Sequence, residues 1–196
     1  MSLIISPDDY DSVCTMLAAG CVGVLHTDTV YGLVCSAQLP TAVARLYRLK
    51  RRGRKPGTLT AAQLKDLVAL GFDQHDLATA QQFWPGAVSV VLPVPEKRAY
   101  LSPGQPDIAV RLATPGNYTH LLTQSGPLLT TSANLPGEPP ARNLQEAQAY
   151  FGDTVDFYVD DGEVGDVLPS TIVKITDSGF TVLRQGAATI DTNERD

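Results

Sequence analysis

Residues 127–140 read PLLTTSANLPGEPP, an apolar segment that runs into small polar residues and then into a Gly/Pro-rich loop. The apolar part is typical of a buried β-strand. Four side chains at its carboxyl end carry hydroxyl or amide groups: Thr130, Thr131, Ser132 and Asn134. Open α/β sheets bind ligands at the carboxyl ends of their strands, although the same residue types also form ordinary turns. The segment therefore indicates a sheet strand that ends in a candidate polar site.

Outward from this segment, helical and strand patterns alternate along the chain, which favours an α/β or α+β fold. A first helix is predicted to begin at Ser6, as N-cap before Pro7 and Asp9, and to end at Gly20. A second helix follows Pro40. Further helices are predicted at residues 61–70 and 76–83, and strands at residues 21–25, 87–94, 107–112, 155–162, 166–176 and 180–187. Residues 177–179, Asp-Ser-Gly, are a hairpin signal between the last two strands.

Composition sets the broad class of the protein. The chain has 196 residues, of which 43% are hydrophobic and 18% are charged, which is enough for one large domain with a core. It shows neither a signal-peptide pattern nor the roughly 18 to 20 apolar residues that cross a bilayer, so a cytoplasmic protein without a membrane segment is expected. The three cysteines contain no CxxC pair and the three histidines have no metal-ligand spacing, so neither disulfides nor a metal site is expected.

Positive charge is concentrated in one short segment. Residues 48–55 contain six of the fifteen Lys and Arg residues of a chain whose net charge is −6. Such a cluster indicates an anion site, most simply for phosphate, or else a solvated helix C-terminus, which basic residues also favour. Lys50 lies seven residues after Val43, so it continues the buried stripe of the second helix and is predicted to point inward. Because the segment lacks Gly-Lys-Ser/Thr, a Walker-type nucleotide site is excluded.

Arg111 is the charged residue of the predicted strand DIAVRL, residues 107–112. A guanidinium between Val110 and Leu112 is costly to bury unless it contacts an anion. It is therefore either half of an internal ion pair or a clamp for an anionic ligand. Two more candidates lie near the C-terminus: Ser170, which otherwise caps a strand, and Arg184, which otherwise faces solvent.

Seven motifs together are similar, in order and spacing, to the YrdC-like family, whose members include threonylcarbamoyl-AMP synthases. They are HTDTVYGL, KRR, WPG, AVR, TSANLPGEPP, PSTIV and LRQGA. The resemblance covers about residues 10–187. It implies a single α/β domain, here residues 1–196, with a twisted, mixed, open sheet, helices on its faces and a deep cationic cavity. The tail after residue 187 is expected to be flexible.

The resemblance also implies an activity. The family's synthases are nucleotidyltransferases that condense L-threonine, bicarbonate or CO2, and ATP, which brings Mg²⁺, into threonylcarbamoyl-adenylate and pyrophosphate for tRNA modification. The implied partners are a downstream tRNA threonylcarbamoyl transferase complex and, weakly, tRNA. Such a displacement needs alignment of anionic reactants and cations near the phosphates rather than a nucleophilic side chain.

Carried over position by position, the resemblance assigns roles to ten residues. Those around ATP are Lys50, Arg52, Arg54, Ser132, Asn134 and Arg184, with Lys50 and Arg52 as the catalytic pair. Those around L-threonine are Thr27, Arg111, Thr130 and Ser170, with Arg111 as a fork for the carboxylate.

The chain departs from the family pattern in three places. His26 replaces a proline before Thr27, the loop before the segment KPGTLTAAQL is about one residue shorter, and that segment lacks a histidine that the synthases have. The altered segment resembles the YciO-type branch, so a YciO-like protein with another small-molecule activity is an alternative. An RNA-binding module is a further alternative, which the acidic net charge and the single basic cluster disfavour.

Overall fold

The computed structural model describes residues 1–51, 55–177 and 179–190. These residues form a mixed sheet of ten strands with helices on both faces. The strands are β1 (Leu3–Ile5), β2 (Gly23–His26), β3 (Tyr31–Ser36), β4 (Thr58–Ala61), β5 (Val88–Pro93), β6 (Asp107–Leu112), β7 (Leu128–Ser132), β8 (Phe157–Val159), β9 (Thr171–Thr176) and β10 (Gly179–Arg184). The α-helices are α1 (Tyr10–Ala18), α2 (Pro40–Leu49), α3 (Leu64–Leu70), α4 (Gln74–Ala80), α5 (Asn117–Ser125) and α6 (Leu144–Phe151).

The strand order is β1-β8-β2-β3-β7-β4-β6-β5-β9-β10. The sheet contains parallel pairs, such as β4 with β6 and β5 with β9, as well as antiparallel pairs, such as β3 with β7. The predicted α/β fold with a mixed sheet is therefore confirmed. Its centre brings together strands from the first and second halves of the chain.

The two faces of the sheet carry separate hydrophobic clusters. Successive residues of a strand point to opposite faces; accordingly Leu33 and Leu129 belong to the larger cluster, while Val34 and Leu128 belong to the smaller one. α2 contributes Leu46 to the larger cluster, whereas α1 and α5 cover the smaller one. At roughly 25 cal/mol per Å² of apolar surface, such burial is the main force that holds helices and sheet together.

The first helix begins later than the sequence pattern predicts. Asp9, not Ser6, is its N-cap, and the Asp9 side chain accepts a hydrogen bond from the Ser12 N–H at 3.1 Å. The Asp9 N–H donates to the Ser6 carbonyl at 3.1 Å, so residues 6–9 form a turn between β1 and α1. The helix ends as predicted, because Gly20 has a φ of +84°, in the left-handed region that glycine tolerates.

Most predicted elements are confirmed, including β6 with its exact bounds and the β9–β10 hairpin. The elements absent from the sequence-based prediction are β1, β3, β4, α5 and α6. The tail predicted to be flexible is described as far as residue 190, and Ala188 and Ile190 pack against the larger core cluster; residues 191–196 lie outside the described part. No helix within the described part of the chain combines the length and the apolar character needed to cross a bilayer.

Candidate functional site

A cavity of about 660 Å³ lies over the centre of the sheet. Its floor follows one cross-strand row, in which Thr130 of β7 pairs with Thr58 of β4, Thr58 with Ala109 of β6, and Ala109 with Val91 of β5. These side chains are small or medium-sized, and all four line the cavity. The row therefore leaves open the volume that α1 and α5 fill elsewhere on this face.

The cavity gathers six of the predicted residues from distant parts of the chain: Thr27, Arg111, Thr130, Ser132, Ser170 and Arg184. All four residues predicted for L-threonine are in this set. Lys50 and Asn134 do not line the cavity themselves, but both contact Ser132, which does. Arg52 and Arg54, predicted for ATP, lie outside the described residues.

Thr27 fixes the turn that joins β2 to β3. Its hydroxyl donates to the Val30 carbonyl at 2.8 Å and accepts the N–H groups of Thr29 and Val30 at 3.2 and 3.3 Å. The Thr27 N–H also donates to the Val30 carbonyl at 3.1 Å. Thr27 is 4% exposed, so a buried hydroxyl closes the turn at the edge of the cavity.

Gly32 lies beside Thr27 and Thr130, two of the residues predicted to bind L-threonine. A Cβ at this position would lie 2.7 Å from Thr130 Oγ1 and 3.0 Å from Thr27 Cγ2, which are both too close. The missing side chain of this glycine in HTDTVYGL thus leaves room for the side chains of Thr27 and Thr130 at the cavity wall.

Arg111 forms the internal ion pair that its sequence context allowed, and it also lines the cavity. The guanidinium lines the cavity and is 3% exposed. Its Nη1 lies 2.8 Å from Oδ1 of Asp28, whose side chain is 6% exposed. Arg111 is therefore half of a buried ion pair at the wall of a ligand-sized cavity.

Asp28 is a functional candidate that the sequence reading missed. Within HTDT the aspartate looks like an ordinary turn residue, and its partner is 83 positions away in sequence, so no local pattern pairs the two. The one available signal was the requirement that a buried arginine contacts an anion.

Lys50 points inward, as its helical spacing predicts, and is 2% exposed. Its ammonium donates to the backbone carbonyls of Ser132 and Asn134, each at 2.6 Å, and to the side chain of Asn134. The Ser132 hydroxyl donates to Oδ1 of the same asparagine at 2.7 Å. Lys50 thus ties the C-terminus of α2 to the loop that follows β7.

Ser170 lies immediately before β9, where its hydroxyl is 2.8 Å from the Ser89 hydroxyl of β5. The Arg184 guanidinium donates to the Ser170 carbonyl at 2.6 Å through Nη2. Gly186 permits this contact, because a Cβ there would lie 2.1 Å from the Pro169 carbonyl oxygen. The motifs PSTIV and LRQGA therefore form one packed unit at the cavity wall.

The described lining carries three cationic side chains, Lys55, Arg111 and Arg184, and one carboxylate, Asp107. Asp107 forms an ion pair with Lys174 of β9 at 3.2 Å. Among residues 1–51, 55–177 and 179–190, no three His, Cys, Asp or Glu side chains form a group that could hold a metal ion.

The altered segment KPGTLTAAQL lies beside Arg111. Thr60, at the centre of this segment, pairs with Arg111 in the β4–β6 register, and its hydroxyl is 2.6 Å from the Tyr118 hydroxyl of α5. Burial raises the pKa of Tyr118 well above its ordinary value, against a smaller opposite effect of the hydrogen bond with Thr60. A buried, neutral hydroxyl pair therefore stands next to the ion pair of Arg111.

Comparison with known sequences identifies related proteins. The sequence model of the Sua5/YciO/YrdC family, which carries the description "Telomere recombination", matches residues 15–186. The threonylcarbamoyl-AMP synthase of Xanthomonas euvesicatoria is 34% identical over 178 residues, which cover 87% of this chain and 95% of that protein.

Solved structures share the fold over almost the whole chain. Sua5 of P. abyssi, in a crystal structure complexed with L-threonine, matches with a TM-score of 0.80 and 25% identity over 95% of this chain, which spans 57% of the Sua5 chain. E. coli YciO matches with a TM-score of 0.79 and 25% identity over 96% of this chain and 98% of its own. With a family match over most of its length and relatives that cover it almost completely, the chain belongs to the Sua5/YciO/YrdC family.

Proposed function

We propose that this protein is a threonylcarbamoyl-AMP synthase, a nucleotidyltransferase that condenses L-threonine, bicarbonate or CO2, and ATP into threonylcarbamoyl-adenylate and pyrophosphate. The observation that carries the proposal is the single cavity in which Thr27, Arg111, Thr130 and Ser170 meet Ser132 and Arg184. The names of the sequence relatives and the threonine complex of P. abyssi Sua5 support the same activity.

The proposed chemistry suits a site without a nucleophilic side chain. The amine of threonine adds to CO2 and loses a proton, which gives a carbamate. A carbamate oxygen then forms a bond to the α-phosphorus of ATP while the bond to the pyrophosphate oxygen breaks. The protein has to align anionic reactants and to stabilise the charge that develops on the phosphates, which cationic side chains and fixed dipoles do well.

On the amino-acid side, we assign the carboxylate of threonine to the Arg111 guanidinium, since a guanidinium binds a carboxylate through two parallel N–H donors. Thr27, Thr130 and Ser170 supply hydroxyl or backbone groups around the rest of the molecule. Thr27 and Ser170 are both held by hydrogen bonds within the protein, so the pocket is preorganised.

On the nucleotide side, we assign phosphate contacts to Ser132 and Arg184, which line the cavity, and to Arg52 and Arg54. Lys50 acts on this side through Ser132 and Asn134, whose carbonyl groups it holds. Mg²⁺ would enter with ATP and offset phosphate charge; Asp107, the one carboxylate among the described lining residues, is the protein group that suits it.

Pyrophosphate release tests the proposal. The purified protein with ATP, Mg²⁺ and bicarbonate is assayed with and without L-threonine, and release that depends on threonine is the expected result. Arg111→Lys serves as the comparison, because it keeps the charge beside Asp28 but loses the planar fork. It should raise the threonine requirement far more than the ATP requirement. Release that ignores threonine, or no release at all, would contradict the synthase proposal.

A YciO-like activity on another small molecule is the second candidate, and one observation favours it. Thr60 belongs to the segment that departs from the synthase pattern, and it lies directly beside Arg111 in the sheet. ATP binding without threonine-dependent pyrophosphate release would be the result expected for this alternative.

For the proposed synthase, the consumer of the adenylate would be a tRNA threonylcarbamoyl transferase complex. Contact with tRNA itself would be weak, because basic residues cluster only at residues 48–55 of a chain with net charge −6.

A further inference from the structure

Arg111 and Asp28 form the most deeply buried ion pair of the described residues, with side-chain exposures of 3% and 6%. Removing one member of such a pair is strongly destabilising because the other charge then stays buried without compensation. The contact therefore sets where the guanidinium can lie at the cavity wall.

Asp28 is itself held from two sides. Its Oδ2 accepts the N–H of Thr114 at 2.8 Å, which links it to the connection between β6 and α5. Its backbone belongs to the turn at residues 27–30, which the Thr27 hydroxyl closes with three hydrogen bonds. The carboxylate is thus fixed by the fold and does not depend on Arg111 for its position.

The ion pair does not saturate the guanidinium. Nη1 of Arg111 and Oδ1 of Asp28 are close, but neither atom has a partner with hydrogen-bond geometry among the described residues, and Nε of Arg111 has none either. Buried donors of a charged group without partners are costly. The guanidinium is therefore oriented by charge attraction while it keeps hydrogen-bonding capacity for a second anion.

We infer that Asp28 is a positioning residue for the amino-acid substrate: it holds the Arg111 guanidinium in the orientation that binds the substrate's carboxylate. This inference rests on the proposed function and names the substrate group on which Asp28 acts through Arg111. Asp28 also offsets the charge of Arg111 before substrate arrives, so the buried guanidinium itself is not an uncompensated cation.

The test compares two ligands on two proteins. Dissociation constants for L-threonine and for L-threoninol, which has a hydroxymethyl group in place of the carboxylate, are measured by ligand-observed NMR titration on the wild-type chain and on Asp28→Asn. The amide keeps the shape and an acceptor for the Thr114 N–H but loses the charge. We expect Asp28→Asn to bind L-threonine about tenfold more weakly or worse, and to bind L-threoninol and ATP as the wild type does.

Asp156→Asn is the matched control, because it weakens the part-buried ion pair with Arg45, and neither of these residues lines the cavity. It should leave both ligands' dissociation constants unchanged. If Asp28→Asn does not fold, as judged by circular dichroism, Asp28→Glu takes its place. That variant keeps the charge, moves the carboxylate by one methylene, and should also weaken L-threonine binding selectively.

The outcomes separate this inference from the proposed function. Equal loss of L-threonine and L-threoninol binding would show a general structural role and overturn the inference, as would unchanged L-threonine binding. Wild-type protein that binds no L-threonine would overturn the proposed function and the inference together.

Discussion

Lys50 illustrates what a single buried cation does in this molecule. An ammonium group that is 2% exposed is tolerated only where oxygen atoms replace its water. The carbonyls of Ser132 and Asn134 do so at 2.6 Å each. The helical spacing of the sequence predicted the inward direction of Lys50, but not that its partners are backbone groups of the loop after β7.

We therefore expect Lys50→Met to affect stability as well as ATP binding. The substitution removes the ammonium donor from the part-buried carbonyl groups of Ser132 and Asn134, which should lower the free energy of unfolding by about 1–3 kcal/mol. Urea denaturation measures this change. Lys65→Met, at an exposed position of α3, is the control and should be neutral. A Lys50→Met protein as stable as wild type would mean that the lysine does not support the loop.

L-Threonine differs from L-serine by one methyl group, which limits how strongly the pocket can discriminate between the two. Discrimination by one methyl group is worth about 10- to 200-fold in kcat/KM. If L-threonine is the substrate, L-serine should support pyrophosphate release with kcat/KM reduced within that range. Equal use of both amino acids would argue against a threonine-shaped pocket.

At the scale of elements, the sequence predicts the mostly apolar strands β6 and β7, which carry Arg111 and Thr130, but misses β4, which contributes Thr58 to the cavity lining. β6 is apolar except at Asp107 and Arg111, and its bounds were predicted exactly. β4 reads as a loop because it is only four residues long and directly follows the turn-forming residues Pro56 and Gly57. Its hydroxyl-bearing face is buried against the cavity and Tyr118, so the loop-like flank hides a central strand.

Gly186 lies at the contact between two segments of the cavity wall, the start of β9 with Ser170 and the end of β10 with Arg184. An added Cβ would lie 2.1 Å from the Pro169 carbonyl oxygen and 2.6 Å from the Ser170 carbonyl carbon. Backbone atoms cannot swing away as a flexible side chain can, so Gly186→Ala should destabilise the protein by about 1–3 kcal/mol or more.

The same substitution should weaken ATP binding, because it separates Arg184 from Ser170. Thermal unfolding and nucleotide titration measure the two effects. Gly165→Ala is the control: a Cβ there meets no atom within 4 Å. If Gly186→Ala behaved like Gly165→Ala, the close packing of these segments would have no energetic role.

At the scale of the whole molecule, the site depends on contacts that no local pattern contains. Thr27 and Arg184 line one cavity although they are separated by most of the chain. The family resemblance predicted which residues belong to this set, because the order of the motifs along the chain identifies residues that helical or strand periodicity does not. The resemblance did not predict a role for Asp28, because this turn residue comes close to its partner Arg111 only when β2 and β6 have their places in the sheet.

Burial across the whole molecule also predicts how stability depends on pH. Burial raises the pKa of the Cys35 thiol to about 12, and burial with nearby Asp161 raises the pKa of Tyr31 to about 12. Their ordinary values are 9.0 and 10.0, so between about pH 9 and 12 the unfolded chain loses protons that the folded protein keeps. The free energy of unfolding should therefore be constant near neutral pH and should fall as pH rises through this window.

Urea denaturation at a series of pH values measures the slope of this fall. Cys35→Ala should make the slope shallower even though it lowers stability at every pH. A slope that is unchanged in Cys35→Ala would mean that this thiol does not contribute to the alkaline loss of stability.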